Sequence, residues 1–519
     1  MKKSIVIGSR GSDLALWQAH FVQAQLRDLG YESTINIIVT KGDRIQHLSF
    51  DKIEGKGFFT KEIEDALLNE EIDLAVHSLK DLPTSSPEGL SIAALSYRED
   101  PRDMLLIRRE AYVASAPFYL KTGSSLGTSS ARRKVQARLL QPDLNITDLR
   151  GNVPTRVQKC RDGKYDAILL AAAGLKRLQL DLSDFVAIEL DPKLFVPAPA
   201  QGVLGLQIRA GDAFMESVAA QLHRADVADS VEVERQTLHL FEGGCHMPVG
   251  AYCEKTVAGF ELTVAKAGTD VDLPVKLKIS SLHPTGLAEK AVALANKQRS
   301  GKILISRDQS DSGLMIRQLE AYGFVVRAEK LIETQAVPFE SLGEADWYFF
   351  VSRNAVKHFL AQASIPKHAQ VAAVGAGTAQ SLLELGYQPD FVGNDTQIAQ
   401  VAHDFKVLAS GKKVVFPVGD RSRRTVQLAL EAHAAVQELQ VYETKLLDKA
   451  FQEAFDAIVF SSPSTAEAYF KHNSIGPNTL CVAMGATTLA YLNEKGITNA
   501  VPALGFDESA LAMTLFSNL

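Results

Sequence analysis

Residues 72–83 read IDLAVHSLKDLP, and this stretch decides how the chain is organised. An apolar run too short for a helix ends abruptly in His77, Lys80 and Asp81, and Pro83 closes the turn. That is a buried strand followed at once by a polar turn. Upstream, FTKEIEDALLNE (59–70) has helical periodicity. SIVIGS (4–9) and then ALWQAHFVQAQLRDLG (15–30) give the same strand-then-helix order, with Gly30 as the helix stop. INIIVT (35–40) adds another strand.

A second set starts near Asp103 with MLLIRR, ARRKVQARLL, NITDLR, VPTRVQKCRDG and DAILLAAAG. The Pro-rich VPAPAQG (196–202) interrupts it, and an α+β stretch from about 215 to 295 carries FEGGCHMPVG. At 301 the strand-helix rhythm restarts with GKILISR, DWYFFVS, QVAAVG, KKVVFPVG, VQELQVY, DAIVFSS and TLCVAMG. The polar KQRSGK (297–302) reads as the join between two modules. Alternating strands and helices throughout predict an α/β protein of several domains, and 519 residues exceed what one core organises. No fixed-period repeat is evident.

The chain is 46% hydrophobic, 22% charged and carries a net charge of −6, so it has no overall field to gather nucleic acid or anionic lipid. No run approaches membrane-spanning length, and the amino terminus lacks a signal-peptide core. Four cysteines (Cys160, Cys245, Cys253, Cys481) are too sparse for a disulfide framework and lack zinc-site spacing. A reduced cytoplasmic protein without a metal is expected.

Basic residues recur after successive strands: Arg10, then Arg132 and Arg133 at a helix start that Ser129 or Ser130 can cap, then Arg150, Arg156 and Arg177. Strand carboxyl ends are where ligands bind in open α/β sheets, and guanidinium forks suit carboxylates. Asp81, close to this cluster, can stabilise a cationic intermediate or simply initiate a turn. Cys245, between two glycines and HMP, can be a reactive thiol or a small buried hydrophobe.

GSRGSDLALWQ, EGKGFFTKEI, AVHSLKDLP, REDPRD, GTSSARR, LRGNVPTR, AAAGLKRL and FEGGC resemble, in order, the motifs of the hydroxymethylbilane synthase (porphobilinogen deaminase) family. The resemblance implies a dipyrromethane cofactor attached covalently through Cys245, with Asp81 as the catalytic carboxylate. It implies that Arg10, Lys80, Arg132, Arg133, Arg150, Arg156 and Arg177 bind substrate and cofactor carboxylates, with Lys56, Ser129 and Gln201 as further contacts. Two departures stand beside these residues: His246 follows the cysteine where many members carry Gln, and PAPAQG stands where others carry PAVGQG.

The second module shows no obvious nucleophile, base or metal set. GAGTAQ lacks the third glycine of a dinucleotide turn. Its strand ends carry hydroxyls, amides and guanidiniums at helix entrances, a fit for a polyacid. ILISR, DWYFFVSRNAV, VAAVGAGTA, VYET and DAIVFSSPSTAEAYF resemble uroporphyrinogen-III synthase, which implies a cleft lined by Thr378, Tyr442, Ser461 and Ser464.

The implied architecture is two periplasmic-binding-protein-like α/β domains (about 1–100 with 195–215, and 101–194) plus a small α+β domain carrying the cysteine (216–298). Two α/β domains joined by a two-stranded linker follow in 299–519 (about 299–335 with 440–519, and 336–439). The implied substrates are porphobilinogen and hydroxymethylbilane, with neither nucleic acid nor membrane as partner, and a monomer is compatible with this. One alternative keeps the deaminase and leaves the second module inactive or only binding the bilane. Others are a non-enzymatic anion-binding protein, and a cysteine hydrolase pairing Cys245 with His77 or His246.

Overall fold

The computed structural model describes residues 4–40, 60–241, 247–340, 344–393, 398–505 and 507–519. The chain opens with β1 (Ile5–Ser9), α1 (Asp13–Asp28), β2 (Ser33–Ile37), α2 (Lys61–Leu68), β3 (Leu74–Ser78) and β4 (Leu90–Leu95). It continues through β5 (Asp103–Arg108), β6 (Ser125–Gly127), α3 (Ala131–Leu140), β7 (Asn145–Thr147), α4 (Val153–Arg161), β8 (Ala167–Ala171), α5 (Ala172–Leu178) and β9 (Phe185–Glu189). It then returns as β10 (Leu204–Arg209).

Two five-stranded sheets result, ordered β2-β1-β3-β10-β4 and β7-β6-β8-β5-β9. β10 lies antiparallel between β3 and β4, so the chain crosses back to its first sheet after completing the second. The run MLLI in β5 is continuous because both faces of its sheet are covered. Leu105 and Ile107 enter one core, while Met104 and Leu106 enter the other.

Next come α6 (Ala213–Leu222), α7 (Ala225–Leu240), β11 (Val249–Thr256), β12 (Gly259–Lys266), β13 (Val275–Ser281) and α8 (Leu287–Asn296). β11, β12 and β13 form an antiparallel meander. Met215, Val218 and Leu222 of α6 join the core of the first sheet, so that body runs past the expected edge at 215.

The remaining elements are β14 (Lys302–Ile305), α9 (Gly313–Ala321), β15 (Val325–Ala328), β16 (Ile332–Ala336), β17 (Trp347–Phe350), α10 (Arg353–Leu360), β18 (Gln370–Ala373), α11 (Ala376–Glu384), β19 (Phe391–Val392), α12 (Ile398–Ala409) and β20 (Lys413–Gly419). They end with α13 (Thr425–Leu430), β21 (Ala435–Leu446), β22 (Ala457–Phe460), α14 (Pro463–Phe470), β23 (Leu480–Ala483), α15 (Ala486–Glu494), β24 (Ala500–Pro502) and α16 (Glu508–Asn518). The sheet orders are β15-β14-β22-β23-β24 and β16-β21-β20-β17-β18-β19.

β17-α10-β18-α11-β19 and β22-α14-β23-α15-β24 have the same order of elements. At one constant spacing they carry the same residue at backbone positions (Ser352 and Ser462 as helix caps, Gly375 and Gly485 before helices, Gly386 and Gly496 at positive φ) and at core positions such as Phe350 and Phe460, Ala373 and Ala483, and Leu382 and Leu492. Other core positions, such as Tyr348 and Ile458, differ because they need only be apolar, and this dilutes the duplication in the sequence.

By packing, the chain divides into two compact units. One is Met1–Ile303 with Ser312–Val326 and Ala503–Leu519, and the other is Leu304–Asp311 with Arg327–Pro502. A single cut near 298 does not separate them, because α9 and α16 belong to the first.

Candidate functional site

In the first unit, the carboxyl ends of the strands gather the cationic residues. β3 ends at Ser78 and passes into a single 3-10 turn, Leu79–Asp81. Leu79 is fully buried and anchors the turn, which leaves Lys80 half-buried and Asp81 exposed. Arg235 of α7 donates to the carbonyls of Leu79 (3.2 Å) and Pro83 (2.7 Å), bracketing the Asp81 turn from both sides. Lys80 Nζ donates to Gln201 Oε1 at 3.3 Å. Burial pushes Lys80 down to about 8; Asp81 pulls it back up while Arg133 presses it down.

Behind this turn lies Asp103, fully buried at the start of β5. It accepts from Arg132 Nη1 (2.6 Å), Arg133 Nη2 (2.7 Å), Arg133 Nε (3.2 Å) and Gln201 Nε2 (3.0 Å). Burial pushes Asp103 up, but the two guanidiniums outweigh it and hold the carboxyl well below the usual carboxylate range. Arg132 also donates to Val196 O (2.8 Å) and Arg133 to Leu169 O (3.0 Å). Neither arginine is a solvated surface charge, since both are more than nine-tenths buried. One carboxylate between two guanidiniums leaves net positive charge in a desolvated place, which favours an anionic ligand. Among the described residues, Nε and Nη2 of Arg132 find no partner.

Arg156 shares this field: burial pushes it down to about 10, helped by Arg133 and Arg150, while Asp81 raises it. Its Nε donates to Gly151 O at 2.7 Å, and Lys159 holds the carbonyl of Arg150 at 2.8 Å. Arg10 follows β1, where the buried Ser9 hydroxyl donates towards the carbonyls of Arg10 and Ala15. Arg177 is used differently. It stacks 5.4 Å over Trp17 and donates to Gly202 O at 2.7 Å.

Ser130 occupies the cap position of α3 but makes no side-chain capping bond. Ser129 does not cap the helix either: its hydroxyl donates to Leu149 O (3.0 Å) and accepts from Leu149 N (3.1 Å). That tie fixes the entrance of α3 against the loop of Arg150.

His77 stays out of the site. It is buried in β3 with Nε2 3.0 Å from Gln207 Oε1, and burial pushes its pKa down to about 4. A hydrolase base is therefore not found at His77. Cys245, His246 and Lys56 lie outside the described residues.

Sequence reasoning missed Asp103, Arg235 and a second buried pair. Arg98 grips Glu234 in bidentate fashion (2.7 and 3.0 Å). Glu234 accepts from the backbone N–H groups of Ala200 (2.7 Å) and Cys253 (2.8 Å), and Arg98 Nε donates to Gln201 O (3.1 Å). Asp103 was legible only as the last letter of REDPRD, an acid opening an otherwise apolar strand.

In the second unit, Tyr442 of β21 lies over Gly419, where an added Cβ would sit 2.4 Å from the ring. Its ring stacks 5.3 Å from that of His358, and its hydroxyl is 3.4 Å from Ser352 Oγ. Burial raises the phenol's pKa. Ser461 lies elsewhere: its N–H donates to Ser306 Oγ (3.1 Å), and its hydroxyl to Ser306 O (3.4 Å). Ser464 is in the first turn of α14, while Ser462 caps that helix with Thr465. Thr378 is buried in the first turn of α11. Among the described residues no hydrogen bond joins Tyr442 to Thr378, Ser461 or Ser464.

A family model described as porphobilinogen deaminase, dipyromethane cofactor binding domain, matches residues 5–217. A porphobilinogen deaminase of Oceanobacillus iheyensis is 39% identical over 304 residues, which is 58% of this chain and 97% of the relative. The chain belongs to the porphobilinogen deaminase family. The deaminase of Syntrophobacter fumaroxidans is 45% identical over 250 residues, covering 48% of this chain and 79% of that protein. A second family model, uroporphyrinogen-III synthase HemD, matches residues 291–512. A uroporphyrinogen-III synthetase structure from Helicobacter pylori aligns over 42% of this chain and 98% of its own, at 20% identity and a TM-score of 0.33. By the two family models, one chain carries a porphobilinogen deaminase and a uroporphyrinogen-III synthase, two enzymes of porphyrin biosynthesis, with dipyrromethane as the deaminase cofactor. No described helix is long and apolar enough to cross a membrane.

Proposed function

We propose that residues 1–298 condense four porphobilinogen molecules into hydroxymethylbilane, and that residues 299–519 close it, with the last ring inverted, to uroporphyrinogen III. The observation that carries the residue assignments is the buried Asp103 cluster, which presents Arg132 and Arg133 beside the turn of Lys80 and Asp81. Each condensation adds two carboxylates, and an excess of fixed guanidinium charge is what a growing polyacid requires. The residues present fit dipyrromethane: Arg132 keeps two donor nitrogens for a carboxylate, and Arg133, Arg150 and Arg156 share its field. Dipyrromethane, held by Cys245 through a thioether, supplies the pyrrole end from which the chain grows.

Loss of ammonia breaks the protonated aminomethyl C–N bond of porphobilinogen and leaves an azafulvenium cation, whose methylene carbon bonds to the free α-carbon of the terminal pyrrole as that carbon gives up its proton. Asp81 stabilises that cation and takes up pyrrole N–H protons. Lys80 and Gln201 hold position behind it. Burial lowers the Lys80 pKa to about 8, so near neutral pH the half-buried lysine is still mostly a charged donor beside Asp81.

In the second module, Tyr442, fixed by Gly419, Ser352 and His358, offers a phenol to the bilane. Thr378, Ser461 and Ser464 add hydroxyls at helix starts, and catalysis rests on holding a flexible chain folded. The reaction sequence fits a reduced cytoplasmic setting.

Two measurements test this. Intact mass of the purified protein should exceed the polypeptide by a dipyrromethane, and Cys245→Ala should remove both adduct and bilane formation. Asp81→Asn should keep the adduct yet slow turnover by at least about two orders of magnitude, the loss of one preorganised electrostatic group. A bare mass with full activity, or near-normal turnover of Asp81→Asn, overturns the respective assignment.

A further inference from the structure

β13 is the outer strand of the three-stranded sheet, and an outer strand presents unpaired backbone groups unless something covers them. Here one phenol covers those of Lys276. The N–H of Lys276 donates to Tyr322 OH at 3.1 Å, and the same hydroxyl donates to Lys276 O at 2.6 Å. Tyr322 is the C-cap residue of α9, in the part of the chain matched by the synthase family.

The Lys276 side chain is itself buried. Its Nζ donates to Leu194 O (2.6 Å) and reaches Ser509 Oγ of α16 (3.4 Å), which also accepts from Gln318 of α9 (3.0 Å). Tyr322 packs on Phe516 with ring centres 4.3 Å apart, and Arg299 lies 3.6 Å over the other ring and donates to Phe516 O. From α9, Arg317 donates through Nε (3.2 Å) and Nη2 (3.0 Å) to Leu139 O, in the last turn of α3. A guanidinium there satisfies a helix-terminal carbonyl and complements the helix dipole. α3 is the helix whose first turn presents Arg132 and Arg133.

We propose that α9 and α16, sequence belonging to the synthase half, form a strut of the deaminase that ties α3 to β13 of the small α+β domain. The fusion is then more than a tether. The deaminase has recruited two helices of its neighbour to close a sheet edge and to cap the helix carrying its anion-binding arginines. The strut stands on this geometry and would remain if the assigned activities were wrong.

The test is amide hydrogen exchange on the full chain, with Tyr322→Phe and Arg317→Met made singly. Local opening governs exchange at such sites. Tyr322→Phe should speed exchange across residues 275–278, and Arg317→Met across residues 137–141. Each should rise by about tenfold, the ratio for losing one such hydrogen bond. Each effect should stay in its own segment, with residues 480–492 unchanged. Unchanged exchange in both target segments overturns the strut, and so does a uniform rise over the whole chain. Bilane formation is assayed alongside: a wild-type chain that makes none defeats the functional reading and leaves the exchange result to stand alone.

Discussion

In the first unit Glu64, Asp73, Asp103, Arg132, Arg133, Arg177, Glu234 and Lys276 are all buried. In the second unit the buried polar side chains are Ser306, His358, Thr378, Gln427, Thr465, Thr479 and Thr488, and among the described residues no Asp, Glu, Lys or Arg is buried there. On the proposed function both halves meet polyacidic pyrrole chains, yet among the described residues only the first unit buries charge. Fixed cations crowded into a cleft need a buried counter-charge, because an unpaired ion out of water costs several kcal/mol. Hydroxyls and helix starts need none. The first unit thus places its buried polar groups in a few ion contacts, and the second unit uses uncharged ones only, among the described residues.

Removing the counter-charge is the strongest way to break this contrast. Asp103→Asn leaves Arg132 and Arg133 buried without a carboxylate and should cost about 3–5 kcal/mol. Thermal or denaturant unfolding of the full chain reads the loss, and the deaminase transition should move while that of the second unit stays. A loss below about 1 kcal/mol would mean that water already pays for the two arginines.

The second contrast concerns pH. His77 has an ordinary pKa of 6.5 in the unfolded chain and about 4 when folded. Between these values the unfolded state holds more protons, so stability falls as pH drops through the window from 6.5 to 4. The contribution reaches up to about 3 kcal/mol at the acid end. His77→Gln should remove that part of the pH dependence, read as the difference between variant and wild type from pH 7 to 4. A parallel pair of curves would show that His77 does not supply it.

In the second unit, Tyr442→Phe sharpens the comparison. It deletes one uncharged hydroxyl held near Ser352 and leaves the ring on Gly419 and His358. Folding should be almost unaffected. Closure to the type III isomer should slow by about tenfold, with bilane formation unchanged, since a single neutral hydrogen bond contributes about that much. Chromatography of oxidised products, with spontaneous type I closure as the clock, measures it.

What the sequence revealed follows the same line. The strand-helix order and the strand-end placement of Arg10, Lys80, Arg132, Arg133, Arg150 and Arg156 were legible, because period and punctuation are local signals. Three things were not. Asp103 serves two arginines some thirty residues downstream, and such pairing exists only in three dimensions. Ser129 or Ser130 is expected from the sequence to cap α3, but Ser130 makes no capping bond and the Leu149 backbone takes the Ser129 hydroxyl. The edge of β13 is closed by Tyr322, a residue beyond the polar join, so KQRSGK marked a change of family but not a break in packing.

The smallest test is at the backbone. Among the described residues, the non-glycine positions at positive φ are Glu70, Tyr119, Gln179 and Ala200, all in the deaminase half, while the second unit uses glycine at every such position. Ala200 (φ 61) and Gly202 (φ 93) flank Gln201, which holds both Asp103 and Lys80. The left-handed region costs an alanine about 1–2 kcal/mol, relieved in Ala200→Gly. Glycine also frees the unfolded chain by roughly 0.5–1 kcal/mol, which acts the other way. The net expectation is stabilisation of at most about 1 kcal/mol, with activity retained because the Ala200 N–H still reaches Glu234. Gly202→Ala is the opposite case: its Cβ would lie 2.2 Å from the carbonyl oxygen of Glu99, so the backbone there must shift and stability must fall. Equal effects at the two positions would mean that φ alone decides. A gain at 200 beside a clear loss at 202 would show that Ala200 bears only mild strain, while Gly202 is required by the space around it.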